Sequence, residues 1–272
     1  MIDALIFDSG VGGLSVSEEI RRRMPDCSLG YLCDNAALPY GTRRDDWLIE
    51  RIVAVCVSAC ELARPRVLVV ACNTASTLAL AALRARLPIP VIGTVPAIKP
   101  AAEASRSRTI GLLATGATVH RPYLDRLIAD HAPNCRVVRV AADALVIQAE
   151  SHLAGKAIDA RALQLAVAPL KAVAELDVVV LGCTHFPLLR GLLEPLMPDR
   201  LWIDSGAAIA RRLSQVLGDT WSVPAPPGEA SEALSWATAP QVPSLGPILR
   251  RFGYSSPLTL EITQPAVATP VS

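Results

Sequence analysis

Two cysteines stand out among the residues whose type and setting could do chemistry. Cys72 closes the run Val67-Leu68-Val69-Val70-Ala71 and opens Asn73-Thr74-Ala75-Ser76, while Cys183 closes Val178-Val179-Val180-Leu181-Gly182 and opens Thr184-His185-Phe186-Pro187. Continuous branched apolar runs followed by small polar residues predict strands buried on both faces of a parallel sheet. A cysteine at the carboxyl end of such a strand sits where open α/β sheets place their ligands. The two runs lie far apart in the chain and belong to different halves, so a fold that turns the halves face to face presents two thiols to one ligand. That is an acid/base pair. A lone buried cysteine is usually inert filler; the repetition at equivalent strand ends argues for more.

Other groups should gather on the same side. In Phe7-Asp8-Ser9-Gly10-Val11-Gly12-Gly13-Leu14 a carboxylate and a hydroxyl stand at a strand end, and glycines let the backbone turn into a helix with its amides open to a ligand. A dinucleotide fingerprint fits poorly, because Ser15 occupies the place of the third glycine. A purely structural turn with Asp8 as a helix cap is the plainer alternative. The stretch Asp34 to Arg43 reads as a turn by composition, but it also leaves the carboxyl side of a strand, where the amides of Tyr40 and Gly41 could meet the same ligand. The amides after Cys72 and Cys183 suit a carboxylate, and a helix start with a nearby imidazole lowers a cysteine's pKa from about 8.5 towards neutrality. His185 reads equally as a structural histidine or as a group tuning Cys183.

The elements that must position these groups fall into two sets of four strands, interleaved with stretches of helical period. The first set is Ala4 to Asp8, Leu29 to Cys33, Val67 to Cys72 and Val91 to Thr94. The second is Thr109 to Ala114, Arg136 to Ala141, Val178 to Cys183 and Leu201 to Asp204. A cysteine closes the third strand each time. The fold class is therefore α/β, with two similar domains, each a parallel sheet flanked by helices, related by a pseudo-twofold. Residues 1–96 plus 206–264 are expected to form the first domain and 97–205 the second, with a returning helix over Ala207 to Val216. After Leu217 prolines interrupt any long helix, and 265–272 read as a disordered tail.

Composition narrows the classes. The chain has 272 residues, of which 51% are apolar, enough for a full core. Its formal charge of +1 offers no electrostatic footprint for nucleic acid or an anionic membrane. Arg21-Arg22-Arg23 reads as a solvated helix end. No run suggests a membrane span, and the first residues enter a strand directly, so the expected location is cytoplasmic. Seven cysteines without the dense spacing of a disulfide scaffold are expected to be reduced. Cys56 and Cys60, one helical turn apart, read as core filler. Cys183-Thr184-His185 supplies too few ligands for zinc, and no metal is expected.

The segments Asp8 to Leu14, Pro39-Tyr40-Gly41-Thr42-Arg43, Ala71 to Ser76 and Gly182 to Leu189, with Ile203-Asp204-Ser205 behind them, together resemble the glutamate racemases. The resemblance implies the two-domain aspartate/glutamate racemase fold, with the active site in the cleft between the domains, and interconversion of L- and D-glutamate without a cofactor, feeding D-glutamate to peptidoglycan precursors. It makes Cys72 and Cys183 the paired bases, Cys72 acting on the D-enantiomer and Cys183 on the L-enantiomer. Asp8 then assists Cys72 and His185 assists Cys183. Asp8, Ser9, Tyr40, Gly41, Asn73, Thr74, Thr184 and His185 are the implied substrate contacts, with Thr115 and Thr118 as further candidates. The implied partner is a small molecule, with no nucleic acid and no membrane, and a homodimer stays open.

Ser76 and His185 stand where aspartate-specific relatives tend to carry His and Glu, which favours glutamate. The run Ala141 to Glu150 departs from the family's usual Cys-Pro segment, although Glu150 itself fits the family's glutamate position. Two other readings compete: a racemase of the same superfamily acting on aspartate, a hydantoin or a related carbon acid, and a binding or regulatory protein that has lost turnover. A substrate panel separates the first, and inertness with both thiols reduced would favour the second.

Overall fold

In the computed structural model the described residues are 2–218 and 233–262. Two parallel sheets dominate them. The first takes β1 (Ile2–Asp8), β2 (Leu29–Cys33), β3 (Pro65–Val70) and β4 (Val91–Gly93). The second takes β5 (Thr109–Ala114), β6 (Arg136–Ala141), β7 (Val178–Leu181) and β8 (Leu201–Ile203). Short β9 (Ser235–Ala237) and β10 (Leu258–Thr259) extend the first sheet, giving the order β10-β9-β2-β1-β3-β4, while the second runs β6-β5-β7-β8. Within each sheet the first four strands in chain order are arranged alike.

The apolar runs form these strands because both sheet faces are covered. Successive side chains alternate between faces, so Ala4, Ile6, Val67, Val69 and Ala71 enter one core cluster. Leu5, Phe7, Leu68, Val70 and Cys72 enter the cluster on the other face. The second sheet repeats this division, with Val179, Leu181 and Cys183 on one face and Val178 and Val180 on the other. Each cysteine thus keeps the side its strand's pleat dictates. Burying an aromatic such as Phe7 contributes roughly 1.5–3 kcal/mol, so these faces carry much of the stability.

Helices cover the faces. Helix Asp45–Ala63 buries Leu48, Ile52, Val55, Cys56, Ala59 and Ala63, a stripe at helical spacing, with Asp45 and Asp46 at its positive end. Cys56 is fully buried and Cys60 partly so, consistent with packing roles. Arg21, Arg22 and Arg23 end the first helix, Leu14–Arg23. Helix Gly206–Leu217 follows the second sheet, yet its Ile209, Ala210, Leu213 and Leu217 join Leu14, Val16 and Ile20 in the first sheet's core.

Several boundaries differ from the sequence expectation. Strands β3 and β7 stop two residues before their cysteines. The ladder continues by one bond each, from Ala71 N to Phe7 O at 2.8 Å and from Gly182 N to Leu113 O at 2.7 Å. The chain then turns, because Cys72 has become the N-cap of helix Asn73–Arg86. Strands β9 and β10 are too short, at three and two residues, to show a period in the proline-rich stretch, and helix Leu245–Arg251 lies among its prolines without a sequence signal. The expected tail over 265–272 and the prolines at 224, 226 and 227 lie outside the described residues. Among the described residues no helix is long and apolar enough to cross a membrane.

Candidate active site

A cavity of about 220 Å³ lies at the carboxyl ends of both sheets and has both Cys72 and Cys183 in its wall. Each thiol is 10% exposed or less, Cys72 at 6% and Cys183 at 9%. Ser9 from the β1 loop sets its Oγ 3.8 Å from Cys72 Sγ. Across the cavity, His185 Nδ1 stands 3.8 Å from Cys183 Sγ. The imidazole is turned by its other nitrogen, since Nε2 bonds Glu150 Oε1 at 2.9 Å, and that carboxylate also accepts from Val11 N at 3.0 Å.

The glycine loop serves a purpose beyond the turn that the sequence suggested. Its glycines are absent from the left-handed residues, and two of its amides are taken within the protein: Gly10 N donates to Asp8 Oδ1 at 2.9 Å and Val11 N to Glu150. What glycine supplies is room. A Cβ on Gly12 would lie 2.5 Å from His185 Nδ1 and 2.6 Å from Thr184 Oγ1, and one on Gly10 would collide with Glu150 Oε1. The loop from the first sheet and the Thr184-His185 turn from the second can therefore interlock. Ser15 Oγ adds a bond to Thr184 O at 2.9 Å, and Thr184 Oγ1 donates to Asp8 Oδ2 at 2.9 Å.

Of the residues singled out in the sequence, Ser9, Tyr40, Gly41, Asn73, Thr74, Thr115, Thr184 and His185 line the cavity with the two cysteines. Asp8, Glu150 and Thr118 do not. Asp8 is fully buried behind the wall, its carboxyl spent on Gly10 and Thr184, so it is placed to act through neighbours and not by touching a ligand in this arrangement. Glu150 stands behind His185. Thr118 is buried and bonds Thr115 Oγ1 at 3.2 Å. The reading missed Thr42, Asp143 and Val146 in the wall. Asp143, whose carboxylate accepts from Gly116 N at 3.0 Å, lies within the divergent run, where no motif marked it.

Electrostatics separate the two thiols. Burial, then the charge of Asp8, pushes the Cys72 thiol up to about 12 against the Ala75 amide and the Ser9 hydroxyl. Burial likewise raises Asp8, although His185 and the bonds from Gly10 and Thr184 oppose it. For His185 burial works against the imidazolium, but the bonds to Cys183 and Glu150 outweigh it and hold the pKa well above the ordinary value. Burial raises Glu150, and the His185 bond with the Val11 amide more than reverses that. Cys72 thus rests as a thiol, and Cys183 faces a cationic proton donor.

The rest of the wall suits a small, doubly polar molecule. No Lys or Arg is among the residues lining the cavity, so an anionic ligand must be met by hydroxyls, amides and His185. Asn73 Oδ1 is buried without a protein partner, which leaves an acceptor for a donating ligand. Among the described residues no group of three His, Cys, Asp or Glu side chains could hold a metal ion.

The model of the Asp/Glu/Hydantoin racemase family matches residues 15–213, which include both cysteines. The chain belongs to that family. It is an amino-acid racemase, an isomerase. Over 258 residues it is 47% identical to the glutamate racemase of Pectobacterium carotovorum, covering 93% of this chain and 89% of that one. The glutamate racemase of Salmonella typhimurium is 45% identical over 256 residues, with the same coverage. Among solved structures, Escherichia coli glutamate racemase in complex with L-glutamate and the activator UDP-MurNAc-Ala superposes with a TM-score of 0.88 at 40% identity, over 96% of this chain and 99% of that one. Glutamate racemase isoform RacE1 of Bacillus anthracis gives 0.80 at 30% identity, over 100% and 99%. The racemase fold, two parallel sheets flanked by helices, is shared with these structures.

Proposed function

We propose that this racemase interconverts L- and D-glutamate by a two-base transfer at Cα, with Cys72 and Cys183 on opposite faces of the substrate. The observation that carries the proposal is the presence of both thiols in one cavity wall, each from its own sheet and each with its own polar neighbour, Ser9 for Cys72 and His185 for Cys183. The glutamate racemases named above support the choice of substrate.

The chemistry follows from the arrangement. Cys183, as thiolate, takes the α-proton of L-glutamate, and the Cys72 thiol delivers a proton to the opposite face. For D-glutamate the roles reverse, with Cys72 as base. Two groups are needed because a single base returns its proton to the face it came from. The electron pair left at Cα moves into the α-carboxylate, where hydroxyl and amide donors already in place stabilise the added charge. Ser9, Tyr40, Gly41, Asn73, Thr74, Thr115 and Thr184 are the proposed substrate contacts. Asn73 Oδ1 is suited to the ammonium group, since it is an acceptor without a protein donor. Asp8 and Glu150 act one step back, Asp8 through its charge on Cys72 and Glu150 through His185. Thr118 acts through Thr115.

On this reading residues 1–96 with 206–264, and 97–205, are two domains that meet over the substrate, and the product D-glutamate supplies peptidoglycan precursors in the cytoplasm. The test is proton NMR of the purified protein with L-glutamate and then D-glutamate in deuterated, reducing buffer, without added pyridoxal phosphate or metal. Loss of the α-proton signal together with optical activity, from either enantiomer, is the expected result. No exchange of glutamate, with exchange of aspartate or a hydantoin in a parallel panel, would reassign the substrate.

A further inference from the structure

Asp34, the residue after β2, is fully buried, and four hydrogen bonds converge on its carboxylate. Oδ1 accepts from Arg51 Nη2 at 2.7 Å and from Thr238 Oγ1 at 2.7 Å. Oδ2 accepts from Tyr40 Oη at 2.6 Å and from Arg51 Nε at 2.8 Å. A carboxylate offers about four acceptor sites, so Asp34 is saturated. Thr238 belongs to the segment that follows β9, late in the chain, and its Oγ1 also accepts from Ala36 N at 3.1 Å. The next pair continues the clasp. Asn35 Nδ2 donates to Ala239 O at 2.8 Å, and Ala239 N donates to Asn35 Oδ1 at 2.9 Å.

These bonds hold one short stretch, residues 34–40, which with the next two residues walls the cavity through Leu38, Pro39, Tyr40, Gly41 and Thr42. Asp34, Arg51 and Thr238 are not in that wall. Both thiols and His185 stand on other segments. The network is therefore connected to the part of the wall that would hold substrate, and not to the proton-transfer groups.

We propose that Asp34 and Thr238 are positioning residues of the reaction, which fix the Tyr40-Gly41 backbone at the cavity and make the segment after β9 part of the substrate-holding apparatus. This rests on the glutamate reading above for its kinetic consequences. A loop that must be ordered by the substrate weakens binding, because part of the interaction is offset by ordering. Proton transfer between thiols that have not moved is little changed. Loosening the clasp should appear in KM and leave kcat nearly alone.

Replacing Asp34 would leave the Arg51 guanidinium without its carboxylate and could unfold the protein, so the decisive variant is Thr238→Val, which removes one hydroxyl. It is expected to raise KM for both enantiomers fivefold or more with kcat within twofold of wild type. Thr238→Ser restores the hydroxyl and should bring KM back to within twofold. Ser235→Ala, in β9 just before Thr238, loses the 2.7 Å bond to Ser255 O and should lower Tm without moving KM. Hydrogen exchange of the amides of residues 36–43 in the ligand-free protein reads the clasp without any substrate, and Thr238→Val should speed it at least tenfold. If wild type does not racemise glutamate, the substrate reading fails and the exchange measurement still decides this one. Unchanged exchange over 36–43, an effect confined to kcat, or a KM rise shared by Thr238→Ser or Ser235→Ala would overturn the proposal.

Discussion

Cys72 and Cys183 leave the third strands of two sheets whose first four strands are ordered alike, yet the groups behind them differ. Behind Cys72 stand a neutral hydroxyl, Ser9, and the buried carboxyl of Asp8, and burial with that carboxyl keeps the sulfur protonated. Behind Cys183 stands the His185 imidazole, held in its charged form by Cys183 and Glu150 against burial. Backbone symmetry places two thiols on equivalent strand ends, and side chains then make one a proton store and give the other a charged donor. The two enantiomers have equal free energy in water, so kcat/KM must be equal in the two directions. The asymmetry can therefore show in kcat and KM taken singly and in which step limits each direction, but not in their ratio.

The largest expected effect comes from removing either thiol. Cys72→Ser and Cys183→Ser should each reduce racemisation by about 10³-fold or more, followed by circular dichroism from either enantiomer. A loss confined to one variant would break the pairing. Next come the unlike neighbours. His185→Asn should lower kcat/KM about 100-fold in both directions. Its signature is a larger primary isotope effect with α-deuterated L-glutamate and a smaller one with the D-enantiomer, because the Cys183 step then limits. Asp8→Asn should shift the isotope effects the opposite way, and equal shifts in both variants would erase the distinction between the halves.

Glu150→Gln sharpens the comparison at lower cost, with an expected fall in activity of about tenfold. Its stability has a definite pH window. The raised His185 pKa contributes stability that is complete below the ordinary histidine value of about 6.5 and is lost as pH climbs through the raised value. The lowered Glu150 pKa contributes above 4.5 and is lost as pH falls. The Tm gap between wild type and Glu150→Gln should thus be widest between about 4.5 and 6.5 and narrow on both sides. The smallest effect belongs to the partly exposed pair Arg121 with Asp45, bonded twice at 2.9 Å. Asp45 is 57% exposed, so Arg121→Ala should cost about 0.5 kcal/mol by urea denaturation and less in high salt.

Much of this was legible in the chain. The runs ending at Cys72 and Cys183 announced buried parallel strands because no other element tolerates such continuous apolar sequence so close to Gly and polar turns. The two cysteines, Ser9, Tyr40 and His185 then followed from the rule that such strands present ligands at their carboxyl ends. Less visible was what depends on cross-chain approach. Gly12 looked like a turn residue, and only the packing of Thr184 and His185 against it reveals a need for space. Asp143 carries no motif, and its place in the wall comes from how helix Ala144–Leu153 starts. Thr238 lies in a stretch whose short strands have no period to read, although it bonds Asp34 directly.

The assignment of one thiol to each face is tested most directly by single-enantiomer exchange in deuterated buffer with the two cysteine variants, followed by proton NMR and chiral analysis. Cys72→Ser should exchange the α-proton of L-glutamate with retention and leave D-glutamate untouched, and Cys183→Ser should do the reverse. Racemisation by either variant, or exchange of the same enantiomer by both, would contradict a two-base mechanism divided between Cys72 and Cys183.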